Sequence, residues 1–315
     1  MTTVAAWEKT MMSFEQQGLW DTIYTEDEMI PFLEFQTTEG TTHEYERELQ
    51  NPDAAEFSDD GDLASSSLDF TEKSTSLKNF YVQTDVNKKP QQLNNKGASP
   101  DAIAKIKMGK SWGRKLSDAV INGDSAVNGL QFDGLEKQCR QETRMMAMDD
   151  GNVDGPGTAE TELTLDRLDE MIDQIEPGRP DALIMNKGMR RKLTRLMYQA
   201  GAGVQLSSID MFGRRVQVYD NLPIIINDYI ANDEQYADAG TWGSSSATTI
   251  YGIKFGIDQQ GFTILHNGPT LNLETENLGT YKNRNAYALR MVGYVGTVVY
   301  SPLTIIALGG IDSSA

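Results

Sequence analysis

The residues best suited to catalysis in this sequence are few and far apart. The chain contains two histidines, His43 and His266, and a single cysteine, Cys139. Nucleophilic catalysis by serine or cysteine usually needs an adjacent base, and neither histidine has a suitable partner beside it in the sequence. We therefore expect both histidines to be structural, and Cys139 to be a small core residue on the apolar face of a helix. The sequence predicts no catalytic residues and no enzyme.

The segment DDGNVDGPGTAETE is the strongest candidate for a metal site. Asp150, Asn152 and Asp154 match the first three side-chain ligand positions of a calcium-binding loop. Gly155 matches the glycine that follows them. The last ligand of such a loop should be a glutamate that binds calcium with both oxygens, but Thr161 stands there. Because the register fails at that position, we interpret the segment as a polar linker and predict no bound metal and no cofactor.

Composition and charge exclude several classes of protein. The chain has 315 residues, 39% of them hydrophobic, which predicts one large domain or two subdomains. Its formal net charge of -18 repels the phosphate backbone, so tight non-specific DNA binding is not expected. The opening MTTVAAWEKTMMSFEQQG lacks the features of a signal peptide, which predicts synthesis in a reducing cytoplasm. The longest apolar run, LTIIAL, is too short to cross a bilayer.

Strand periodicity begins at Thr42, after a polar stretch that we interpret as an N-terminal arm. Glu44, Glu46 and Glu48 fall on one side of this strand, whereas Arg47 and its alternate neighbours fall on the other. We expect the return strand between residues 80 and 86, with the acidic, turn-rich segment QNPDAAEFSDDGDLASSS between the two. An isolated two-stranded ribbon is marginally stable, so this one needs another surface to lie on.

A long helix is predicted after the ribbon. Ser99 is a suitable N-cap, Pro100 suits the first helical position, and Gly123 gives a stop signal. Gly109 and Gly113 are unfavourable inside a helix, and two interpretations stay open: another backbone passes close to that face, or the helix simply tolerates glycine there. The helix is basic, and its cations are Lys105, Lys107, Lys110, Arg114 and Lys115. We expect a second helix between residues 135 and 148.

Two further helices are predicted with opposite charge. The segment LTLDRLDEMIDQIEPG has an apolar face opposite its acids, which include Asp166 and Asp169. The segment RPDALIMNKGMRRKL predicts a buried strand followed by a helix whose polar side carries Arg190, Arg191 and Arg195. Acidic and basic surfaces in the same region favour head-to-tail contacts between copies, which close rings. Strands dominate the remaining sequence, so the fold class is α+β.

The order of these elements resembles that of the major capsid proteins of tailed bacteriophages, whose fold is shared with encapsulin shells. The phrases that carry the resemblance are INGDSAVNGLQFDGLEKQ, PDALIMNKGMRRKL, VYDNLPIIINDYI and NAYALRMVGYVGTVVYSPLTIIALGGI. The resemblance implies the following segments: an N-terminal arm (1–35), an extended loop (36–90), a peripheral domain (91–158) with a spine helix (99–123), an axial domain (159–254) and return strands of the peripheral domain (255–315).

The resemblance implies a structural protein that assembles into an icosahedral shell around a double-stranded DNA genome. Its expected partners are further copies of itself in pentamers and hexamers, a separate scaffolding protein, a portal and a decoration protein. DNA would be contacted weakly and no membrane would be bound. The expected location is the virion capsid, assembled in the host cytoplasm. Two alternatives remain open, an encapsulin-type compartment shell and a calcium-binding module.

The resemblance also implies where subunits meet. In such shells the extended loop lies over the peripheral domain of an adjacent subunit, and the axial domains converge at capsomer centres. We therefore expect Glu44, Glu46 and Glu48 to face the neighbouring Lys105, Lys107 and Lys110. Contacts around the capsomer centre would use the charged axial helices, whose candidates are Asp166, Asp169, Arg190, Arg191 and Arg195.

Overall fold

The structure is a computed structural model that describes residues 23, 28–50, 69–89, 100–148, 161–200, 207–211, 214–233, 247–268 and 273–313. Its helices are α1 (Pro100–Asn122), α2 (Leu135–Gln141), α3 (Leu165–Asp173) and α4 (Lys187–Ala200). Its strands are β1 (Phe35–Thr38), β2 (Thr42–Gln50), β3 (Asp69–Ser76), β4 (Lys78–Asn87), β5 (Met145–Ala147), β6 (Ala182–Met185), β7 (Ser207–Met211), β8 (Arg214–Tyr219), β9 (Leu222–Ile226), β10 (Ala247–Ile253), β11 (Phe262–Asn267), β12 (Glu274–Thr280), β13 (Ala286–Val299) and β14 (Ile305–Asp312). The predicted α+β class is confirmed.

A five-stranded sheet is organised around β13, the longest strand. On one side β13 pairs antiparallel with β4 along most of its length, and on the other side with β12 and then β11. Strand β1 adds to the edge of β11 in parallel. Helix α1 packs on one face, where Trp112 contacts Phe80 of β4 with ring centroids 6.3 Å apart. This sheet and α1 share one hydrophobic core.

A seven-stranded mixed sheet runs in the order β5, β14, β10, β6, β9, β8, β7. Both of its faces are covered, so its central strands are buried along almost their whole length. Successive residues of β14 point to opposite faces of the sheet. Ile305 belongs to the core shared with α1, and Ile306 belongs to a second core. Helices α3 and α4 supply that second core, which confirms the apolar faces predicted for both.

Gly113 in the middle of α1 marks a close approach of backbone, which is one of the two interpretations that the sequence leaves open. A Cβ added at Gly113 would lie 3.3 Å from Cγ2 and 3.5 Å from Cα of Ile23. Ile23, Met29 and Ile30 are fully buried in the core with α1. The end of the predicted arm is therefore part of the core of the protein.

The ribbon consists of β2 and β3, which pair antiparallel with Tyr45 opposite Lys73. Its predicted alternation is confirmed, because Glu44 and Glu46 are exposed whereas Arg47 is buried. The side chain of Glu48 and the predicted tip lie outside the described residues.

The predicted return strand of the ribbon was wrong. The segment from residue 80 to residue 86 belongs to β4, whose partner is β13, and β3 is the strand that returns beside β2. The physical reason is burial, because Phe80 and Val86 lie in the core with α1 and require a place in the large sheet. The ribbon therefore includes fewer residues than the predicted extended loop (36–90), because β4 belongs to the five-stranded sheet.

One other sequence expectation needs correction. The second helix ends at Gln141, and the chain then enters β5, which adds in parallel to β14. Strand β14, in the predicted return strands, pairs with β10, in the predicted axial domain, and the domain boundaries stay a prediction. The three residues of β5, Met145–Ala147, are all buried in the sheet. Periodicity alone cannot distinguish such a short apolar run from a buried segment of helix.

Candidate functional site

The outer face of the ribbon is acidic. Glu44 and Glu46 are exposed on β2, and Glu46 stands opposite the exposed Glu72 of β3. Like charges in directly opposed strand positions repel each other. Within the described part of the chain, no ion pair joins a cation to any of these three carboxylates. This face would be stabilised by cations supplied from elsewhere.

The inner face of the ribbon is held to the body of the same chain by Arg47. Its guanidinium donates to the carbonyl of Val299 at 2.7 Å and to that of Tyr300 at 3.1 Å. It also pairs with Glu142, just after α2, at 2.6 Å, and Lys73 of β3 reaches the same carboxylate at 2.9 Å. We call Arg47, Lys73 and Glu142 the ribbon latch.

The latch keeps Glu142 ionised. Partial burial opposes the charge, but hydrogen bonds from Arg47 and Lys73 outweigh it and hold the pKa of Glu142 below its ordinary value of 4.5. A polar cavity of about 280 Å³ lies beside the latch, between the ribbon, α2 and β13. Within the described residues, the latch therefore fixes the ribbon to its own chain by charge.

Aromatic packing strengthens the same root. Tyr45 lies on Tyr300 with ring centroids 5.4 Å apart in an edge arrangement, and His43 stacks on Tyr45 at 6.2 Å. The ring nitrogens of His43 lie 3.3 Å from the hydroxyls of Thr38 and Tyr300. Burial raises the pKa of the Tyr45 hydroxyl. These contacts hold the first half of β2 against the body of the chain.

Helix α1 presents a basic surface in its first half. Lys107 and Lys110 are exposed, whereas Lys105 is partly buried and lies 3.9 Å from Asp101. At the other end, Lys115 pairs with Asp118 at 2.8 Å. Asp101 and Asp118 therefore lie on either side of the basic segment of α1, which runs from Lys105 to Lys115.

The two charged helices of the second core lie against the same sheet. Asp166 and Asp169 of α3 are exposed, and Asp169 accepts a hydrogen bond of 2.7 Å from the hydroxyl of Tyr219. Burial, followed by this carboxylate, raises the pKa of Tyr219. On α4, Arg191 and Arg195 are exposed.

Arg190 of α4 differs from the other two arginines. It is half-buried and reaches the side chain of Gln217 on β8 at 3.4 Å. It therefore contacts the body of its own chain, whereas Arg191 and Arg195 remain the better candidates for contact with a neighbour. Whether these helices meet another subunit stays a prediction.

The residues considered for catalysis lie in packing positions. Cys139 is fully buried, and burial raises the pKa of its thiol. His266 is buried beside Thr37, and burial lowers its pKa. In the described part of the chain, no three His, Cys, Asp or Glu side chains are grouped to hold a metal ion. The calcium candidates Asp150, Asn152 and Asp154 lie outside the described residues.

Sequence reasoning did not identify the latch. The signal was present, because Arg47 stands on the inward side of an alternating strand, between Tyr45 and Leu49. A charged residue on a buried face needs a charged partner. Nothing local identifies Glu142 as that partner, since almost a hundred positions separate the two.

Among described helices, none is both long and apolar enough to cross a membrane.

The structure is similar to solved structures of shells. An encapsulin complex from Synechococcus elongatus PCC 7942 aligns with a TM-score of 0.69 and 13% identity, over 91% of this chain and 88% of that one. The capsid of an empty GTA particle aligns with a TM-score of 0.63 and 12% identity, over 90% of both chains. A chain from Mycobacterium phage Adephagia aligns with a TM-score of 0.58 and 13% identity, over 90% of this chain and 89% of that one.

No protein-family model matches the sequence, and no match to a curated protein is found. The similarity to solved structures extends over nearly the whole chain, so the chain has the fold that the encapsulin, the GTA capsid and the Adephagia chain share. The fold predicted from the order of sequence elements is confirmed.

Proposed function

We propose that this chain is the major capsid protein of a tailed bacteriophage, which assembles into the icosahedral shell around a double-stranded DNA genome. The observation that carries the proposal is the shared fold over about 90% of this chain and of two capsid chains. The work of the protein is noncovalent assembly, without catalytic turnover. In this proposal the five-stranded sheet and α1 form the peripheral domain, and the charged helices lie in the axial domain.

The ribbon supports an assembly role. Its root is fixed by the latch, and its outer face carries carboxylates that no described cation of the same chain neutralises. Helix α1 carries the exposed Lys107 and Lys110 and the partly buried Lys105. We propose that Glu44, Glu46 and Glu48 lie against Lys105, Lys107 and Lys110 of an adjacent subunit, and that Asp166 and Asp169 face Arg191 and Arg195 around the capsomer centre.

The proposed partners are further copies of the chain in pentamers and hexamers, together with a scaffolding protein, a portal and a decoration protein. The protein would be assembled in the host cytoplasm and located in the virion capsid. Because the chain has a net charge of -18, packaged DNA would contact the shell only weakly.

An encapsulin-type shell is the second candidate, because the encapsulin aligns with a TM-score of 0.69, above those of the two capsids compared with it. Both proposals require that the chain assembles into closed shells, and electron microscopy of the purified protein tests this. Closed shells are expected, and a protein that stays monomeric at high concentration would overturn both. Coexpression with neighbouring genes distinguishes them, since a capsid incorporates a portal and a compartment encloses a cargo enzyme.

A further inference from the structure

The loop that follows α1 is closed on itself. The amide of Gly134 donates to the carbonyl of Gly123 at 2.8 Å, so the two ends of the loop are in contact. A Cβ at Gly123 would lie 2.4 Å from the carbonyl oxygen of Phe132, and one at Gly134 would lie 2.7 Å from the amide nitrogen of Gly123. Only glycine fits at either position. Compact loops with touching ends are frequently functional, and we call residues 123–134 the closed loop.

Side chains fix the closed loop from inside. The carboxylate of Asp124 accepts from the amide of Ala126 at 2.8 Å and pairs with Lys137 at 3.4 Å. The side chain of Asn128 accepts from the amide of Leu130 at 3.1 Å. These bonds hold both turns of the loop, so its tip has a defined position.

The tip presents two apolar side chains to solvent. Val127 is 86% exposed and Leu130 is 78% exposed, and they are the most exposed large hydrophobic residues of the described chain. The tip between them contains no charged residue. Scattered single apolar residues are ordinary at a surface, but an apolar pair held on a fixed loop is typical of a contact site.

The closed loop is continuous with the root of the ribbon. Lys78, two positions after β3, donates to the carbonyl of Gly129 at 3.0 Å. Ser125 of the loop and Ser76 of the ribbon line the same polar cavity. Any copy that contacts the ribbon near its root would therefore also meet the tip of the closed loop.

Helix α1 offers a matching apolar pair. Ile103 is 44% exposed and Ile106 is 50% exposed, one helical turn apart and next to Lys107. Strand β2 is about 30 Å long and α1 about 35 Å, from the usual rise per residue. If the ribbon lies along α1 of a second copy, the root of the ribbon and the closed loop beside it lie at one end of that helix. With Glu44 near Lys105, as proposed above, this is the N-terminal end of α1, where Ile103 and Ile106 lie.

We propose that Val127 and Leu130 of one copy pack on Ile103 and Ile106 of α1 in a second copy of this chain. The inference rests on the proposed shell function and adds an apolar contact to the charged one. Heterologous contacts of this kind, between different patches of identical chains, are those that close rings.

The first test replaces the tip. Val127→Ser with Leu130→Ser should raise the subunit concentration needed for shell formation by about tenfold or more, because two apolar side chains stay in water. Circular dichroism of the unassembled chain should be unchanged, since both side chains are exposed. Leu303→Ser, at an exposed leucine outside both patches, is the matched control. Normal assembly of the double variant would overturn the proposal.

The second test locates the contact. One protein carrying Leu130→Cys and another carrying Ile106→Cys are mixed before assembly and treated with a short bismaleimide. A covalent dimer containing both variants is expected in shells, and it can arise only between chains. Cys139 is fully buried, and unaltered protein serves as the control for it. Shells without this dimer would overturn the inference alone, whereas failure of unaltered protein to form shells would overturn the proposed function as well.

Discussion

The seven-stranded sheet and the ribbon are both built from alternating strands, but their faces are covered differently. The sheet has a hydrophobic core on each side, and both cores come from the same chain. The ribbon has a latch and aromatic contacts at its root on one side, and three exposed carboxylates on the other. The sheet is therefore covered by its own chain on both faces, whereas the described residues provide no such cover for the outer face of the ribbon.

The largest effect should come from a cavity in the sheet. Ile306 on β14 is fully buried, so Ile306→Ala should lower the free energy of unfolding by about 2 to 5 kcal/mol. Urea unfolding of the unassembled chain measures this. Glu46→Ala on the ribbon is the control and should stay within about 0.5 kcal/mol of the original. Equal losses in both variants would contradict the distinction between the two regions.

The next effect concerns the latch. Arg47→Leu removes the closest cation of Glu142 and three charge-assisted hydrogen bonds, so opening of the ribbon root should become easier by about 1 to 3 kcal/mol. Hydrogen exchange of β2 and β3 measures this opening. Arg290→Leu, which removes a half-buried arginine of β13 that donates to Gln83, is the matched control. Unchanged exchange in Arg47→Leu would show that the aromatic contacts alone hold the root.

Charge reversal on the outer face should act on assembly and spare the fold. Changing Glu44, Glu46 and Glu48 to Lys should block shell formation, and reversing Lys105, Lys107 and Lys110 to Glu should restore part of it.

Each exposed pair contributes about 0.2 to 1 kcal/mol, but a shell repeats the contact many times. Light scattering at low salt is the suitable measurement, because the charges are least screened there. Normal assembly of the triple ribbon variant at low salt would show that the ribbon does not dock through these carboxylates.

Acid should weaken the latch by a smaller amount. Because the folded pKa of Glu142 lies below its ordinary value, its contribution to stability is complete above about pH 4.5 and is lost as pH falls through the folded pKa. Hydrogen exchange of the ribbon root should therefore be unaffected by this group between neutral pH and pH 5, and rise at lower pH. Glu142→Gln should remove that rise. The same acid response in both proteins would assign the titration to another group.

Calcium should have the smallest effect. Isothermal titration is expected to give no micromolar site, because Thr161 replaces the last ligand of the calcium-loop pattern. Asp150→Ala should behave like the unaltered chain. A micromolar site that disappears in Asp150→Ala would contradict the prediction and support the calcium-binding alternative.

The sequence was most informative where one local rule decided the structure. The limits of α1 followed from Pro100 and Gly123. The apolar faces of α3 and α4 followed from helical periodicity. In each case the residues that cause the feature lie within a few turns of one another, so no knowledge of the tertiary structure was needed.

Pairing between distant segments was beyond local rules. Strands β3 and β4 are adjacent in sequence and both alternate, so periodicity alone could not indicate which of them pairs with β2. The choice depends on Phe80, which stacks on Phe132 and contacts Trp112 in the core. The latch was missed for the same reason, since Arg47 and Glu142 meet only after β13 and α2 are in place.

The position of the last strands has a consequence for synthesis of the chain. Strand β13 is the central partner of the five-stranded sheet, and β14 lies between β5 and β10 in the other. Both follow all of their partner strands along the chain. Neither sheet can be completed until these two strands have been synthesised, and a chain interrupted before Ala286 would lack the strand that joins β4 to β11. Such a truncated product would expose unpaired strand edges and become a substrate for proteases, so mainly subunits with both sheets complete would accumulate.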